Sequence, residues 1–369
     1  MDRAEIEAKA RALGFDHLGV CAVDPLPPEM DRFRDWLARG FHGEMKWIER
    51  AAAERLDPSL LFRDARSILV GAIRYAAQPA PSRAPLAGEV SSYAWGDDYH
   101  RIVGEKAGRL AAFLRERYDA RAAEYVDTGP VLERLWAARA GVGWIGKNAL
   151  VLNSESGSLI FLAVILTDLD IPVDEPARDQ CGACRLCLDA CPTGAIVEDR
   201  VVDSRLCLSY HTIEVRGSFP EEHREALGAR VFGCDECQTV CPWNRSAGPA
   251  SLPAFLPREG IGRLDLVGLV TMTMADYTER FQGSAMKRAT YHGLRRNAAI
   301  ALGNLLSGRA GGVEGMAPIE AGDRSRALQA LGRAASDAEP SVADAAAWAL
   351  REAEKGARTA RPCLTSRPL

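Results

Sequence analysis

Eight of the chain's ten cysteines fall between Cys181 and Cys241, and their spacing is the strongest chemical signal in the sequence. Cys181-Gly-Ala-Cys184-Arg-Leu-Cys187-Leu-Asp-Ala-Cys191-Pro192 is a C-x2-C-x2-C-x3-C-P run. Three thiolates this close together grip one face of an iron-sulfur cubane, and the fourth, carried round a turn, reaches a second cluster. A second run, Cys234-Asp-Glu-Cys237-Gln-Thr-Val-Cys241-Pro242, ends the same way but lacks the first cysteine, for which Cys207 is the replacement. Crossed ligation then gives Cys181, Cys184, Cys187 and Cys241 to cluster one, and Cys191, Cys207, Cys234 and Cys237 to cluster two. Structural zinc is the rival for C-x2-C pairs, but it leaves the third cysteine and both Cys-Pro endings without a role. Two neighbouring 4Fe-4S clusters make a path for single electrons, so an acceptor must lie close by. Of the two spare cysteines, Cys21 is expected in the core and Cys363 as an inert tail thiol.

Three segments compete for the acceptor site. Gly141-Val-Gly143-Trp-Ile-Gly146 fits G-x-G-x-x-G, but it follows a helix and leads to a strand, the reverse of the order that puts a pyrophosphate on a helix N-terminus. A glycine turn approached by some other bulky ligand is the better reading, with Lys147 and Asn148 facing it. In Tyr125-Val-Asp127-Thr-Gly-Pro130-Val-Leu-Glu-Arg134, Asp127 sits between a strand and a helix started by Pro130. It is either an N-cap or a general acid at the edge of a sheet. The third segment, Tyr93 to Arg101, carries Asp98, Tyr99 and His100, a density of polar aromatic groups suited to a binding surface.

Holding these groups takes more than one domain, since 369 residues exceed twice a typical unit of ~150. With 47% hydrophobic and 26% charged residues and a net charge of -4, the composition is that of a globular chain with no bulk attraction for nucleic acid. The longest apolar run, Leu159 to Leu166, is too short for a membrane span of ~20 residues, and the polar N-terminus lacks the form of an export signal. The expectation is a cytoplasmic, reducing location with no membrane partner.

Residues 1–173 alternate helical patterns (Ile6 to Leu13, Phe33 to Leu37, Tyr99 to Tyr118, Pro130 to Ala140) with strand patterns (Leu18 to Val23, Ser67 to Ile73, Ala122 to Val126). Ala76 to Gly88, with Pro79, Pro81 and Pro85, is expected as a loop. Ala149 to Leu152 and Leu159 to Leu166 read as the arms of a hairpin turning at Asn153 to Gly157, which makes the domain α+β. Residues 174–250 form the cysteine domain and 251–355 a helical one. In the latter, Asn297 to Leu302 recurs as Ala345 to Leu350; the spacing suits a HEAT-like repeat, and an alanine-rich helix pair explains it equally well. The tail, 356–369, is expected to be disordered. Phe281 to Ala310 carries Lys287, Arg288, Arg295, Arg296 and Arg309 with no acid, a stretch that could contact phosphates or form a solvated face.

Taken together, Gly43-Glu-Met45, Asp98-Tyr-His100, Asp127 to Arg134, Gly143-Trp-Ile-Gly-Lys-Asn148, the run ending Cys191-Pro-Thr-Gly-Ala-Ile196, Cys207-Leu-Ser-Tyr210 and Gly233 to Asn244 resemble the epoxyqueuosine reductase family. The resemblance covers nearly the whole chain. It implies cobalamin as the acceptor, bound by a nitroreductase-like domain, and reduction of epoxyqueuosine to queuosine at the wobble position of tRNAs with GUN anticodons. It implies Asp127 as proton donor, a role that needs a carboxyl protonated near neutral pH. Arg134, Asp98, Tyr99, His100, Lys147 and Asn148 are then candidates for the cobalamin or substrate pocket, and Lys287, Arg288, Arg295 and Arg296 for tRNA contacts. An unidentified low-potential donor must supply the electrons, and the chain is expected to act as a monomer. Cobalamin proteins that place histidine on cobalt usually show Asp-x-His-x-x-Gly; here the glycine after His100 is Gly104, one residue late, so no protein histidine is expected on cobalt. His211 stands where the family suggests an apolar residue. A corrinoid reductase of small molecules, like the reductive dehalogenases, and a non-catalytic electron-transfer protein are the competing functions.

Overall fold

The structure, a computed structural model, describes residues 2–24, 27–75, 84–245, 247–308 and 317–359. Its first element of order is a four-stranded sheet in the sequence His17–Ala22, Ser67–Arg74, Ile160–Thr167, Ala122–Tyr125, with every neighbouring pair antiparallel. The Ser67–Arg74 strand is buried over all but its last residue, which demands cover on both faces. Alternation supplies it. Leu69 and Ile73 face the helices Arg3–Leu13 and Tyr99–Tyr118, while Ile68, Val70 and Ala72 face the helix Glu133–Arg139. Gly71 is needed because a Cβ there would stand 2.5 Å from the Phe15 ring. In the Tyr99–Tyr118 helix, Val103, Ala107, Leu110, Ala111 and Leu114 make the buried stripe; Ile102 and Phe113, expected on the same side, pack at its margin.

A second sheet ties together the three regions read from the sequence. Ala87–Val90 is its centre, with Arg230–Phe232 parallel on one side and Arg263–Asp265 antiparallel on the other. One strand thus comes from 1–173, one from 174–250 and one from 251–355. The cysteine region holds only short elements, among them Leu186–Asp189, the Ile196–Glu198 and Val201–Val202 hairpin, and the helix Leu208–Ile213. Beyond it, Thr290–Ser307 is buried along nearly its whole length among Val270, Leu331 and Trp348, its polar residues Arg295, Arg296, Asn297 and Asn304 included. The recurring segments lie on Thr290–Ser307 and Pro340–Thr359, which pack directly together. A Cβ on Gly303 would be 2.7 Å from the Ala349 Cα, so small residues set the close approach.

Four local expectations need correction. Pro130 does not open a helix: Asp127 adopts φ +48, the chain bends through 128–132, and the helix begins at Glu133 behind Leu132. The turn at Asn153 and Gly157 forms, but Val151–Leu152 pairs with Trp144–Ile145, and only the Ile160–Thr167 arm joins the main sheet. The end of the proline-rich stretch is strand from Ala87; 76–83 lie outside the described residues. The last helix runs to Thr359, past the expected start of the tail, while 360–369, with Cys363, lie outside the described residues.

Candidate active site

Asp127 follows the edge strand Ala122–Tyr125, and its left-handed backbone, costly for a residue with a Cβ, is held by a hydrogen bond from its own N–H to Glu133 Oε1 at 2.5 Å. Its side chain caps no helix. Asp127 Oδ2 accepts from the Tyr99 hydroxyl at 2.8 Å and lies 2.9 Å from His100 Nε2; His100 Nδ1 is 2.8 Å from Asp98 Oδ1. Asp98 also caps the Tyr99–Tyr118 helix by accepting from His100 N, so one residue both starts the helix and orients the imidazole. Tyr99 is fixed in turn by stacking on Phe161, ring centroids 4.4 Å apart.

The carboxylate has 56% of its side-chain surface free, yet protein crowds it closely enough that burial opposes its charge. The bonds from His100 and Tyr99 and the charge of Arg134 outweigh that and hold it below the usual carboxylate range. Burial also disfavours a charged His100, but Asp127 and Asp98 on its two nitrogens win and push it up to about 9. The proton of this couple therefore rests on His100, and Asp127 is ionised at neutral pH. Glu133, which the sequence reading passed over, is pushed up to about 8 by burial and by Asp127. Both ring nitrogens of His100 are engaged, one by Asp98 and one by Asp127.

The eight cysteines gather in the crossed sets. Cys187 lies within electrostatic reach of Cys181, Cys241 and Cys184, and Cys207 of Cys191; Cys234 and Cys237 both lie within reach of Cys207, and Cys237 also of Cys187, where the two sets adjoin. All four members of the first set line one cavity of about 260 Å³ with Leu152, Leu186 and Trp243. Thiols spread around such a volume suit a cubane and not a single ion, whose four sulfurs would stand about 3.8 Å apart at a Zn–S distance of ~2.3 Å. A larger cavity, about 380 Å³ between Arg3, Asp16, His17 and Asn153, contains none of these groups. Tyr93, partly buried, lies within reach of both Asp127 and Asp235, and Asp235 stands between Cys234 and Cys237. Asp235 is pinned by the Ser91 hydroxyl and by Ser92 N at 2.7 Å. Asp127 and the second cysteine set are therefore neighbours, with Tyr93 between them.

Other candidates have different settings. Arg134 donates to the Ala149 carbonyl at 2.6 Å and ties the Asp127 segment to the glycine-rich turn. Lys147 pairs with Asp199, Asn148 donates to Cys237 O, and both line the cavity of the first cysteine set. The glycines serve the chain itself: a Cβ on Gly143 would be 2.3 Å from Leu152 O, and one on Gly141 2.7 Å from Glu175 O. Gly43 lies so close under Tyr210 that a Cβ would be 2.5 Å from its hydroxyl, which accepts from Glu44 N; two distant motifs meet there. Buried His211 is pushed down to about 4 by burial and bonds to Arg205 O, so as a neutral ring it can stand in for an apolar residue.

The basic stretch does not form one charged face. Arg296 is 0% exposed and Arg295 8%; Arg295 is spent on Asp337 and Val270 O, and Arg296 on backbone carbonyls. Neither guanidinium is open to a phosphate, because the helix that carries them is the core of its region. Lys287 and Arg288 are exposed, and Arg288 forms a two-pronged pair with Glu214 within reach of Asp127. Arg309 lies outside the described residues.

Residues 55–128 match the family model described as Epoxyqueuosine reductase QueG, DUF1730, and residues 180–244 match the 4Fe-4S double cluster binding domain. The epoxyqueuosine reductase of Gloeobacter violaceus is 42% identical over 311 residues, 81% of this chain and 95% of that one. The chain belongs to the epoxyqueuosine reductase family. A crystal structure of epoxyqueuosine reductase with an epoxyqueuosine-modified tRNA-Tyr stem loop has a TM-score of 0.83 to this chain at 30% identity, covering 97% of this chain and 94% of that one. The Bacillus subtilis epoxyqueuosine reductase, described with an aspartate catalytic loop swung out of the active site, gives 0.83 at 29% identity, over 96% and 98%. Epoxyqueuosine reductases are oxidoreductases, and the region that carries the eight cysteines, 180–244, matches a domain that binds two 4Fe-4S clusters.

Proposed function

We propose that this chain reduces epoxyqueuosine to queuosine at the wobble position of tRNAs with GUN anticodons. Cobalamin occupies a site at Asp127, and electrons arrive through the two clusters from a low-potential donor. The observation that carries the reading is the open Asp127 carboxylate, wired to His100 and Tyr99 and neighbouring the second cysteine set through Tyr93 and Asp235. On this reading 1–173 is a pared-down nitroreductase-like domain, 174–250 the ferredoxin-like domain and 251–355 a HEAT-like helical domain. The protein works as a cytoplasmic monomer, and among the described residues no helix is long and apolar enough to cross a membrane.

Loss of the epoxide oxygen as water with formation of a C=C bond consumes two electrons and two protons. Bound cobalamin supplies a strong reductant beside the epoxide. The chain's own residues manage the protons and the position of the substrate. Asp127 borders this site with a carboxylate whose Oδ2 is already occupied by Tyr99 and His100, which leaves Oδ1 for substrate. Filling the site strips water from Asp127, raises its affinity for a proton and draws one across from His100 as negative charge develops on the oxygen. Asp98 holds the imidazole in line throughout. The aspartate catalytic loop of the Bacillus subtilis relative supports placing Asp127 on a loop that closes over substrate. Lys287 and Arg288, exposed at the surface that leads to this site, are the cations left for the tRNA backbone.

The test is anaerobic reconstitution with iron, sulfide and cobalamin, a low-potential reductant and an epoxyqueuosine stem loop, read by mass spectrometry of the nucleosides. Queuosine that forms only with cobalamin present supports the proposal. Dehalogenation of a halophenol without queuosine, or no cobalamin binding at all, overturns it.

A further inference from the structure

Arg296 was a candidate for tRNA contacts, and the structure gives it a different task, shared with Asn297. The two side chains form one buried unit: Arg296 Nε and Nη2 donate to Asn297 Oδ1 at 3.1 and 2.9 Å. Arg296 then reaches the carbonyls of His211 at 2.8 Å, Val215 at 2.9 Å and Gly217 at 2.6 Å. Asn297 Nδ2 donates to Thr212 O at 2.9 Å and Val231 O at 2.8 Å. These carbonyls belong to two separate segments. One is the helix Leu208–Ile213 and the turn after it, capped by Cys207; the other is the strand Arg230–Phe232, which leads through Gly233 into Cys234. Thr212 closes the bracket, since its hydroxyl accepts from Gly233 N at 2.9 Å.

Burying a guanidinium away from water costs several kcal/mol unless its donors are met, and here they are met by carbonyl and amide oxygens instead of a carboxylate. So costly a group, fixed to the two segments that bring Cys207 and Cys234 together, makes sense as a clamp. We propose that Arg296 and Asn297 are positioning residues for cluster two, holding the Cys207 and Cys234 segments at the separation a cubane requires, so that the helix Thr290–Ser307 is a structural arm of the cluster domain.

The same helix offers a control. Asn304, also fully buried and two turns on, bridges Arg224 O at 2.7 Å and Gly228 O at 3.0 Å, and neither carbonyl lies on a ligand-bearing turn. Full-length Asn297→Ala and Asn304→Ala proteins, reconstituted anaerobically, are compared by iron content, by the EPR spectrum of the reduced protein and by denaturant unfolding. Both should lose stability. Asn297→Ala should fall from about eight irons per chain toward about four and lose the signal of one cluster, while Asn304→Ala keeps about eight. Full iron and an unchanged spectrum in Asn297→Ala would overturn the proposal, as would an equal loss in Asn304→Ala. Arg296→Lys is the milder probe: a shifted midpoint potential for cluster two with cluster one unmoved supports the clamp, and two unmoved potentials count against it.

Discussion

The proton couple makes the sharpest prediction, because the alkaline limb of its pH profile is set by His100. Asp98 and Asp127 on its two nitrogens hold His100 up to about 9, against an ordinary value of 6.5, with the hydroxyl of Tyr99 also on Asp127. A group with that midpoint is about 99% protonated at pH 7, half at pH 9 and about a tenth at pH 10. The single-turnover rate of epoxide reduction should therefore stay level from pH 6.5 to 8, halve near pH 9 and fall about tenfold by pH 10. His100→Gln keeps a hydrogen-bonding side chain but stores no proton, and should lower the plateau rate by about 100-fold while abolishing that limb. The assay is rapid-quench queuosine formation on a stem loop with pre-reduced enzyme at each pH. A limb near pH 6.5 in the wild type, or the same limb near pH 9 in His100→Gln, would refute the reasoning. The sign for stability follows too. The folded midpoint lies above the unfolded one, so the couple's contribution to folding is complete below about pH 6.5 and is lost as pH rises through 9.

The crossed ligand sets predict that Cys241→Ser disrupts cluster one and Cys207→Ser cluster two, leaving a different EPR signal in each; identical residual spectra would speak against crossing. Glu133→Ala removes the acceptor that pins Asp127 N and should lower kcat about tenfold or more with KM little changed, whereas Glu133→Gln, which keeps an acceptor, should lose less. Gly303→Ala places a methyl 2.7 Å from the Ala349 Cα and should cost about 1–3 kcal/mol, read as a lower midpoint of thermal unfolding with both clusters still loaded.

Much of the site could be read from the sequence because cysteine spacing is itself geometry: a C-x2-C-x2-C run can wrap one cubane face whatever surrounds it. The long helix was legible from its periodicity, and the Ser67–Arg74 strand as a short unbroken apolar run, the mark of a strand buried on both faces. What failed were inferences from charge. Arg295 and Arg296 look like a basic face in one dimension, yet Thr290–Ser307 is wrapped on all sides, and no local pattern reveals which neighbours will cover a helix. The setting of Asp127 was hidden for a related reason: its carboxylate is held by His100, 27 residues earlier, which meets it only because Asp98 caps the helix that carries both His100 and Tyr99. Glu133 was in view, six residues after Asp127, but its role depends on the left-handed turn that replaced the helix start expected at Pro130.

The account rests most heavily on Asp127, and Asp127→Asn in a single-turnover assay tests it directly. The amide keeps the shape and can still hold Tyr99, but it relays no proton. The prediction is a rate of queuosine formation lower by about 100- to 10,000-fold, with unchanged stem-loop affinity and both clusters loaded. A variant that forms queuosine at the wild-type rate would contradict the account.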